Sequence, residues 1–411
     1  MNVLFLTIAE FNSIEQHAIY PDLLRVFRDM GHSVYSVSSY EKRLGKETEL
    51  IEDHNTLGLH VKIGNITKCG VIEKGISTLM IEAQYKNAIK KYFSDVKFDL
   101  VLYSTPPITL VKVVEFIKKR DGAKSYLLLK DIFPQNAVDI GMMKKTGLKG
   151  LLYHFFRAKE KKLYEISDYI GCMSPANVEY VLKNNPEISP DRVEVCPNSV
   201  EIRDMSVNAE DRRVIREKYG IPLDKKVFIY GGNLGRPQGI PHLIECLKAE
   251  SGNTEAFFLI VGDGTEYGKL EQFVKDYPQD NFKLLKKLPK EDYDRMVGAC
   301  NVGMIFLDHR FTIPNFPSRL LSYTQAKMPV LAVTDPNTDI GKIAEEGGFG
   351  IWCESNSVEQ FSSAVRKMLT MDLKRMGERG FEYTRENYGV EDCYRSILTK
   401  VGRISATLET V

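Results

Sequence analysis

With 411 residues, a net charge of +1, 43% hydrophobic and 27% charged residues, the chain has the composition of a soluble globular protein. That length exceeds one small core and predicts two domains of comparable size. The near-neutral balance excludes a global attraction to nucleic acid, and no run approaches the ~20 apolar residues of a membrane span.

Met1–Phe11 is apolar but short and lacks a basic leader, so it reads as a first strand rather than a signal peptide. Val3–Ile8 is followed by a helical pattern carrying Leu23, Leu24, Val26 and Phe27, which Gly31 ends. Ser33–Val37, Asp99–Tyr103, Ser125–Leu129 and Tyr169–Met173 continue as strands. The turn-rich stretch 185–198, with a short strand at Val193–Cys196, predicts a join. Beyond it the pattern restarts with strands at Val227–Tyr230, Phe257–Val261, Phe282–Leu285, Val302–Phe306 and Val330–Val333. Helical patterns close the chain at Phe361–Leu369 and 391–404.

Strands alternating with helices predict an α/β protein of two doubly wound, Rossmann-like halves, with ligands at the strand carboxyl ends in a cleft between them. The expected boundaries are 1–198, 199–385 and a C-terminal helix, 386–411, packing back toward the first domain. A two-lobed binding protein fits the same outline but would normally carry an export signal. The seven cysteines (Cys69, Cys172, Cys196, Cys246, Cys300, Cys353 and Cys393) show no CxxC spacing and read as reduced thiols of a cytoplasmic protein.

Several motifs carry chemistry. Pro314–Pro329 reads as a loop, a helix capped by Ser318 and ending near Lys327, then a strand. Such a helix start offers bare N–H groups to a phosphate, and Arg319 adds a fork of donors; an ordinary capped helix is the alternative. The turn Gly231–Gly239 lets backbone approach a ligand, with Arg236 available to a phosphate. Gly262-Asp263-Gly264, with Gly268, imitates a dinucleotide fingerprint but has the wrong spacing and place. Asp292-Tyr293-Asp294 resembles a metal-holding DxD, yet acids in a first helical turn explain it better. Lys130-Asp131 ends an apolar strand, where Asp131 can orient a hydroxyl, act as a base, or cap the next element. From Met142 to Tyr164 seven bases face one acid, Glu160, among Leu148, Leu151, Leu152, Phe155 and Phe156. That pattern suits an anionic membrane surface or a solvated basic face over a core stripe.

Taken in order, these motifs resemble the family 4 retaining glycosyltransferases of the two-domain GT-B fold. Within them the chain is most similar to bacterial O-antigen and capsule enzymes of the N-acetylfucosamine transferase type. The residues carrying the resemblance begin with Gly31-His32-Ser33-Val34, Lys130-Asp131-Ile132-Phe133-Pro134 and Val195-Cys196-Pro197-Asn198-Ser199-Val200. Tyr230–Gly235, Val261–Gly264 and Pro317–Tyr323 complete the series.

The resemblance implies a transferase moving a sugar, including an N-acetylated amino sugar, from a UDP-sugar to a polyprenyl-diphosphate-linked glycan acceptor in surface polysaccharide (O-antigen or capsule lipopolysaccharide) synthesis. The first domain would take the acceptor, near Asn12 and Ser13, and the second the donor. The diphosphate would meet Gly232, Asn233, Arg236, Ser318, Arg319 and Leu320. The base would lie along Gly262, Lys287, Leu288 and Pro289, and the sugar near Asn315, Phe316 and Pro317. Asp131, with Lys130, lies near the family's catalytic-histidine position. No metal and no cofactor is expected, since arginine and helix amides stabilise the leaving diphosphate. The enzyme would be cytoplasmic, peripheral at the inner face of the membrane. Three departures stand out: Pro314 and Ser322 where many members have glutamates, Gln238 where a lysine is common, and no glycine pair after the first strand. A nucleotide-sugar epimerase of the same fold and an inactive nucleotide-sugar-binding member are the alternatives.

Overall fold

The structure, a computed structural model, describes residues 1–11 and 13–402, apart from the side chains of residues 71, 72, 148 and 149. The chain divides into two compact units, Met1–Glu201 with Gly389–Val411, and Ile202–Tyr388.

The first unit is built on an eight-stranded sheet. Its strands are β1 (Asn2–Leu6), β2 (Ser33–Glu41), β3 (Glu49–Asp53), β4 (Thr56–Ile63), β5 (Leu100–Ser104), β6 (Lys124–Leu129), β7 (Tyr169–Cys172) and β8 (Val193–Val195). Their spatial order is β3-β4-β2-β1-β5-β6-β7-β8. All pairs are parallel except β3 with β4, and the acidic edge of β3 (Glu49, Glu52, Asp53) discourages further strand pairing. Val3–Leu6 and Leu100–Ser104 are buried throughout, as parallel strands covered on both faces must be. The connecting helices are α1 (Ile19–Asp29), α2 (Val71–Tyr92), α3 (Val111–Asp121), α4 (Gln135–Asp139), α5 (Leu148–Ile166) and α6 (Pro175–Asn184).

The second unit holds a six-stranded, wholly parallel sheet. It comprises β9 (Lys226–Asn233), β10 (Ala256–Asp263), β11 (Phe282–Lys286), β12 (Val302–Phe306), β13 (Val330–Thr334) and β14 (Gly350–Glu354). Its helices begin with α7 (Ala209–Tyr219), α8 (Ile240–Ala249), α9 (Tyr267–Asp276) and α10 (Lys290–Gly298). They continue with α11 (Arg319–Gln325), α12 (Ile340–Glu346), α13 (Val358–Leu369) and α14 (Leu373–Asn387). Caps delimit several of them: Asn208 accepts from the Asp211 amide at 2.8 Å, and Gly220 ends α7 in the left-handed region. The order β11-β10-β9-β12-β13-β14 reverses between β9 and β12, and ligands of such sheets sit beyond the carboxyl ends at that switch point.

The last helix, α15 (Val390–Lys400), belongs to the first unit. Its Cys393, Tyr394, Ile397 and Leu398 join the core formed by Phe5, Leu24 and Phe27. Tyr394 packs edge-on against Phe27 at 4.9 Å and bonds His32 Nε2 through its hydroxyl at 2.9 Å. Truncating the fully buried Ile397 to alanine should therefore cost about 2–5 kcal/mol. Urea unfolding measures it, and a loss under about 0.5 kcal/mol would contradict this packing.

Candidate functional site

At the switch point of the second unit, β9 runs into a glycine turn whose geometry no other residue allows. A Cβ on Gly231 would overlap the ring of Tyr293, and Gly232 has a φ of +116°. A Cβ on Gly262, the register partner of Gly232 across β10, would overlap the Gly232 carbonyl. Gly262 thus lets the two loops close on one another. The Gly231 amide donates to Tyr323 Oη at 3.2 Å, and the Tyr323 hydroxyl donates to the Met304 carbonyl at 3.2 Å.

Arg319 opens α11 beneath this turn. Its guanidinium lies 4.2 Å from the ring centroid of Tyr230, and a Cβ on Gly232 would sit 3.8 Å from its Nη2. Nη1 is buried with no hydrogen-bond partner among the described residues. Burial alone disfavours the charge, but the hydroxyls of Tyr230, Tyr323 and Tyr293 more than offset it, so the cation persists. A buried cationic donor without an acceptor is costly unless an anion completes it.

The helix behind Arg319 differs from expectation. Its end at Gln325 lies close to the expected Lys327, which adopts a φ of +53°, but its start does not match. Ser318 already has helical dihedrals, and its side chain makes no capping bond, since the entry is a tight turn. In that turn the amides of Leu320 and Leu321 donate to the carbonyls of Pro317 and Ser318 at 3.2 and 3.1 Å. Leu320 therefore offers no amide to a ligand, and its side chain is fully buried. Two turns of helix make a weak dipole, so the guanidinium is the principal cationic feature.

Around this centre the loops brace each other. Gln238 Oε1 accepts from the Gly235 amide (3.1 Å) and Asn233 Nδ2 (3.2 Å), so it holds the turn from within. Arg236 is exposed, 3.9 Å from Glu266. The segment carrying Asn315, Phe316 and Pro317 is clamped from the loop after β13. Thr338 Oγ1 accepts the Asn315 amide at 3.1 Å and donates to Asp335 at 3.0 Å, while Asn337 Nδ2 donates to the Phe311 carbonyl at 2.7 Å. Burial pushes the Asp335 carboxyl up to about 6, against the pull of its bonds to Thr338 and Asn337. Lys287 and Leu288 follow β11, and the Pro289 carbonyl starts α10 by accepting the Tyr293 amide at 2.9 Å.

In the first unit, Lys130 and Asp131 leave β6 with both amides bonded to Thr105 Oγ1, at 3.0 and 3.2 Å. Their side chains have separate partners. Lys130 Nζ donates to the Cys196 carbonyl at 3.1 Å, whereas Asp131 accepts from Asn136 Nδ2 at 2.8 Å. Burial lowers the lysine and raises the aspartate, the Asn136 bond and the Ile132 amide partly restoring the latter. The Ser13 hydroxyl donates to Asp53 at 2.9 Å, and Asn12 lies outside the described residues.

Two candidate metal groups have other occupations. Asp292 and Asp294 of the DxD face Lys218 at 3.4 Å and Lys290 at 2.6 Å. His17, Asp22 and Glu201 converge within 4.8 Å, but the Arg25 guanidinium already bonds both carboxylates. Sequence reasoning missed Tyr293, read only as the middle of the DxD, and the Asp335–Thr338 clamp. The need for glycine at 231 was the available signal for a bulky neighbour.

Residues 211–383 match the family described as glycosyl transferases group 1. The probable glycosyltransferase WbjE of Pseudomonas aeruginosa is 25% identical over 292 residues, 71% of each chain. The putative colanic acid biosynthesis glycosyl transferase WcaI of Escherichia coli is 21% identical over 310 residues, 74% of each. Among solved structures, sucrose-phosphate synthase of Thermosynechococcus elongatus superposes with a TM-score of 0.74 at 14% identity, over 97% of this chain and 99% of that one. Anabaena HepE in complex with UDP gives 0.70 at 14% identity, over 98% and 100%. The two parallel-sheet units are therefore those of the GT-B fold. The chain carries a group 1 glycosyl transferase domain and is a glycosyltransferase.

Proposed function

We propose that the enzyme moves a sugar, with retention of configuration, from a UDP-sugar to a polyprenyl-diphosphate-linked glycan in bacterial surface polysaccharide synthesis. The donor's diphosphate is bound by the second unit and the acceptor by the first. The observation carrying this reading is the buried, unpartnered Nη1 of Arg319 beside the Gly232 turn. The UDP held by HepE and the colanic acid pathway in the name of WcaI support the donor and the setting.

Cleavage of the anomeric C–O bond leaves negative charge on the diphosphate. Arg319 is preorganised against that charge by the Tyr230 ring, so it stabilises the departing group without first reorganising. Arg236, exposed beside Glu266, meets the distal phosphate. The base lies over Gly262 and along Lys287–Pro289, and the sugar beside Asn315–Pro317. In the first unit Asp131 orients the acceptor hydroxyl, with its carboxylate held in place by Asn136.

Arg319→Ala should weaken UDP binding by about 10–100-fold, the worth of a charge-assisted hydrogen bond, and Arg319→Lys should recover only part of it. Titration calorimetry decides, and unchanged affinity in both variants removes the assignment. Asp131→Asn should leave UDP affinity within about twofold and lower sugar transfer by roughly a hundredfold or more. Equal turnover to wild type, followed by UDP release, would assign Asp131 a purely structural role.

A further inference from the structure

We propose that a pocket in the first unit, floored by Ser36, Gly58 and His60, is a subsite for the acceptor glycan and takes the hydroxymethyl arm of a hexose. The inference rests on the acceptor reading above and names the part of the sugar that this unit recognises. Ser36 and Gly58 are register partners on β2 and β4, as are Ser38 and His60, so the floor residues share one face of the sheet. Leu24 of α1, Val34 and Ile51 wall the pocket, and Phe11 and Ser13 of the loop after β1 complete it. Ser36 and His60 are buried whereas Phe11, Ser13 and Ile51 are half-buried, which sets the mouth on the loop side.

Two polar atoms on that floor await a partner. The His60 ring is fixed by a 2.7 Å hydrogen bond between its Nδ1 and Ser38 Oγ, and by stacking on Tyr40 at 4.7 Å. Its other nitrogen, Nε2, has no hydrogen-bond partner among the described residues, and neither has Ser36 Oγ. The two side chains belong to residues only 5% and 6% exposed. Both border the space that a side chain at position 58 would fill. A Cβ on Gly58 would lie 3.4 Å from His60 Nε2 and 3.5 Å from Ser36 Oγ. Buried polar atoms without partners cost about 1–3 kcal/mol each, so a group that both donates and accepts is favoured between them. Burial also holds the imidazole below its usual pKa and therefore neutral near pH 7, which suits an uncharged ligand.

Size narrows the ligand to one arm of a sugar. The inner pocket has room for about one to two water-sized groups, too little for a pyranose ring and enough for a hydroxymethyl. The hydroxyl of that arm reaches Ser36 and His60, its methylene meets Leu24 and Val34, and the ring stays at the mouth, where Phe11 offers an aromatic face. The roof is built in advance. Asp53 Oδ2 accepts from Ser13 Oγ at 2.9 Å and from the Ile14 amide at 2.6 Å. From the other side, Arg25 Nη1 donates to the Ile14 and Gln16 carbonyls at 2.6 and 2.9 Å. Leu6, the last residue of β1, is in register with Val37, one residue before the Ser38–His60 pair. The subsite thus stands at the carboxyl end of β1, the end of the parallel sheet at which Asp131 leaves β6.

The test is NMR titration of the full chain with the methyl glycosides of glucose, galactose and mannose, each paired with its 6-deoxy counterpart. The imidazole resonances of His60, assigned by their disappearance in His60→Gln, report the subsite. At least one hexoside should shift them saturably, and its 6-deoxy counterpart should bind about tenfold more weakly or worse, because it leaves both floor atoms unpaired. Gly58→Ala places a methyl group in the notch at ordinary contact distance, and Ser36→Ala removes one of the two polar atoms. Each should weaken the hexoside about tenfold, with UDP affinity unchanged as the control for folding. No shift of His60 with any hexoside, or equal binding of the 6-deoxy sugars, overturns the subsite. A change of melting temperature in Gly58→Ala without any effect of sugar overturns it in favour of a structural water bridging Ser36 and His60. The titration needs neither donor nor transfer. Hexoside binding of the expected pattern therefore supports the subsite even where no polyprenyl-linked glycan is glycosylated, an outcome that removes only the lipid-linked acceptor.

Discussion

A guanidinium placed under a protein surface with one nitrogen lacking an acceptor is an unfinished interaction. Arg319 is in that state: its charge is tolerated because Tyr230 offers a ring face, and Tyr293 and Tyr323 surround it with hydroxyl dipoles. None of these supplies the missing acceptor to Nη1. Ring and hydroxyls keep the cation charged and aimed, and an incoming anion receives it without displacing a protein partner. Desolvation of the arginine is thus completed in the fold itself and need not be repeated at each binding event.

The rest of the second unit follows from holding that guanidinium beside the glycine turn. Gly231 leaves room for Tyr293, Gly232 bends back over Arg319, and Gly262 lets the β10 loop close beneath the Gly232 carbonyl. Gln238 locks the turn internally, and Thr338 with Asn337 pins the loop that leads into α11. Each contact is modest, about 1 kcal/mol for a neutral hydrogen bond, but together they leave Arg319 few alternatives. The first unit has the same logic on a smaller scale, where Thr105 holds the Lys130–Asp131 backbone and Asn136 fixes the carboxylate.

Much of this was legible in the sequence wherever one face or one residue type had a single use. Continuous apolar runs such as Val302–Phe306 read directly as buried parallel strands, and the glycine turn and Arg319 stood out by their position after a strand. Other elements were hidden by mixed signals. β4 alternates polar and apolar residues with a glycine, because it lies between β2 and the antiparallel edge strand. α2 carries apolar residues both inward and outward, so its helical period blurs. The isolated basic run of α5 looked stronger than it is, since Glu82 and Glu187, distant in sequence, come to meet it. Ser318 misled for a local reason: a cap residue needs extended dihedrals, and the turn at Pro317 gives it helical ones.

If the buried guanidinium exists to receive a diphosphate, binding energy must reside in the phosphates rather than in the nucleoside. Titration calorimetry of the wild-type enzyme with UDP and with uridine, under the same conditions, tests this directly. The account predicts that UDP binds at least about a hundredfold more tightly, a difference near 2.7 kcal/mol. Equal affinities, or no binding of UDP at all, would contradict it.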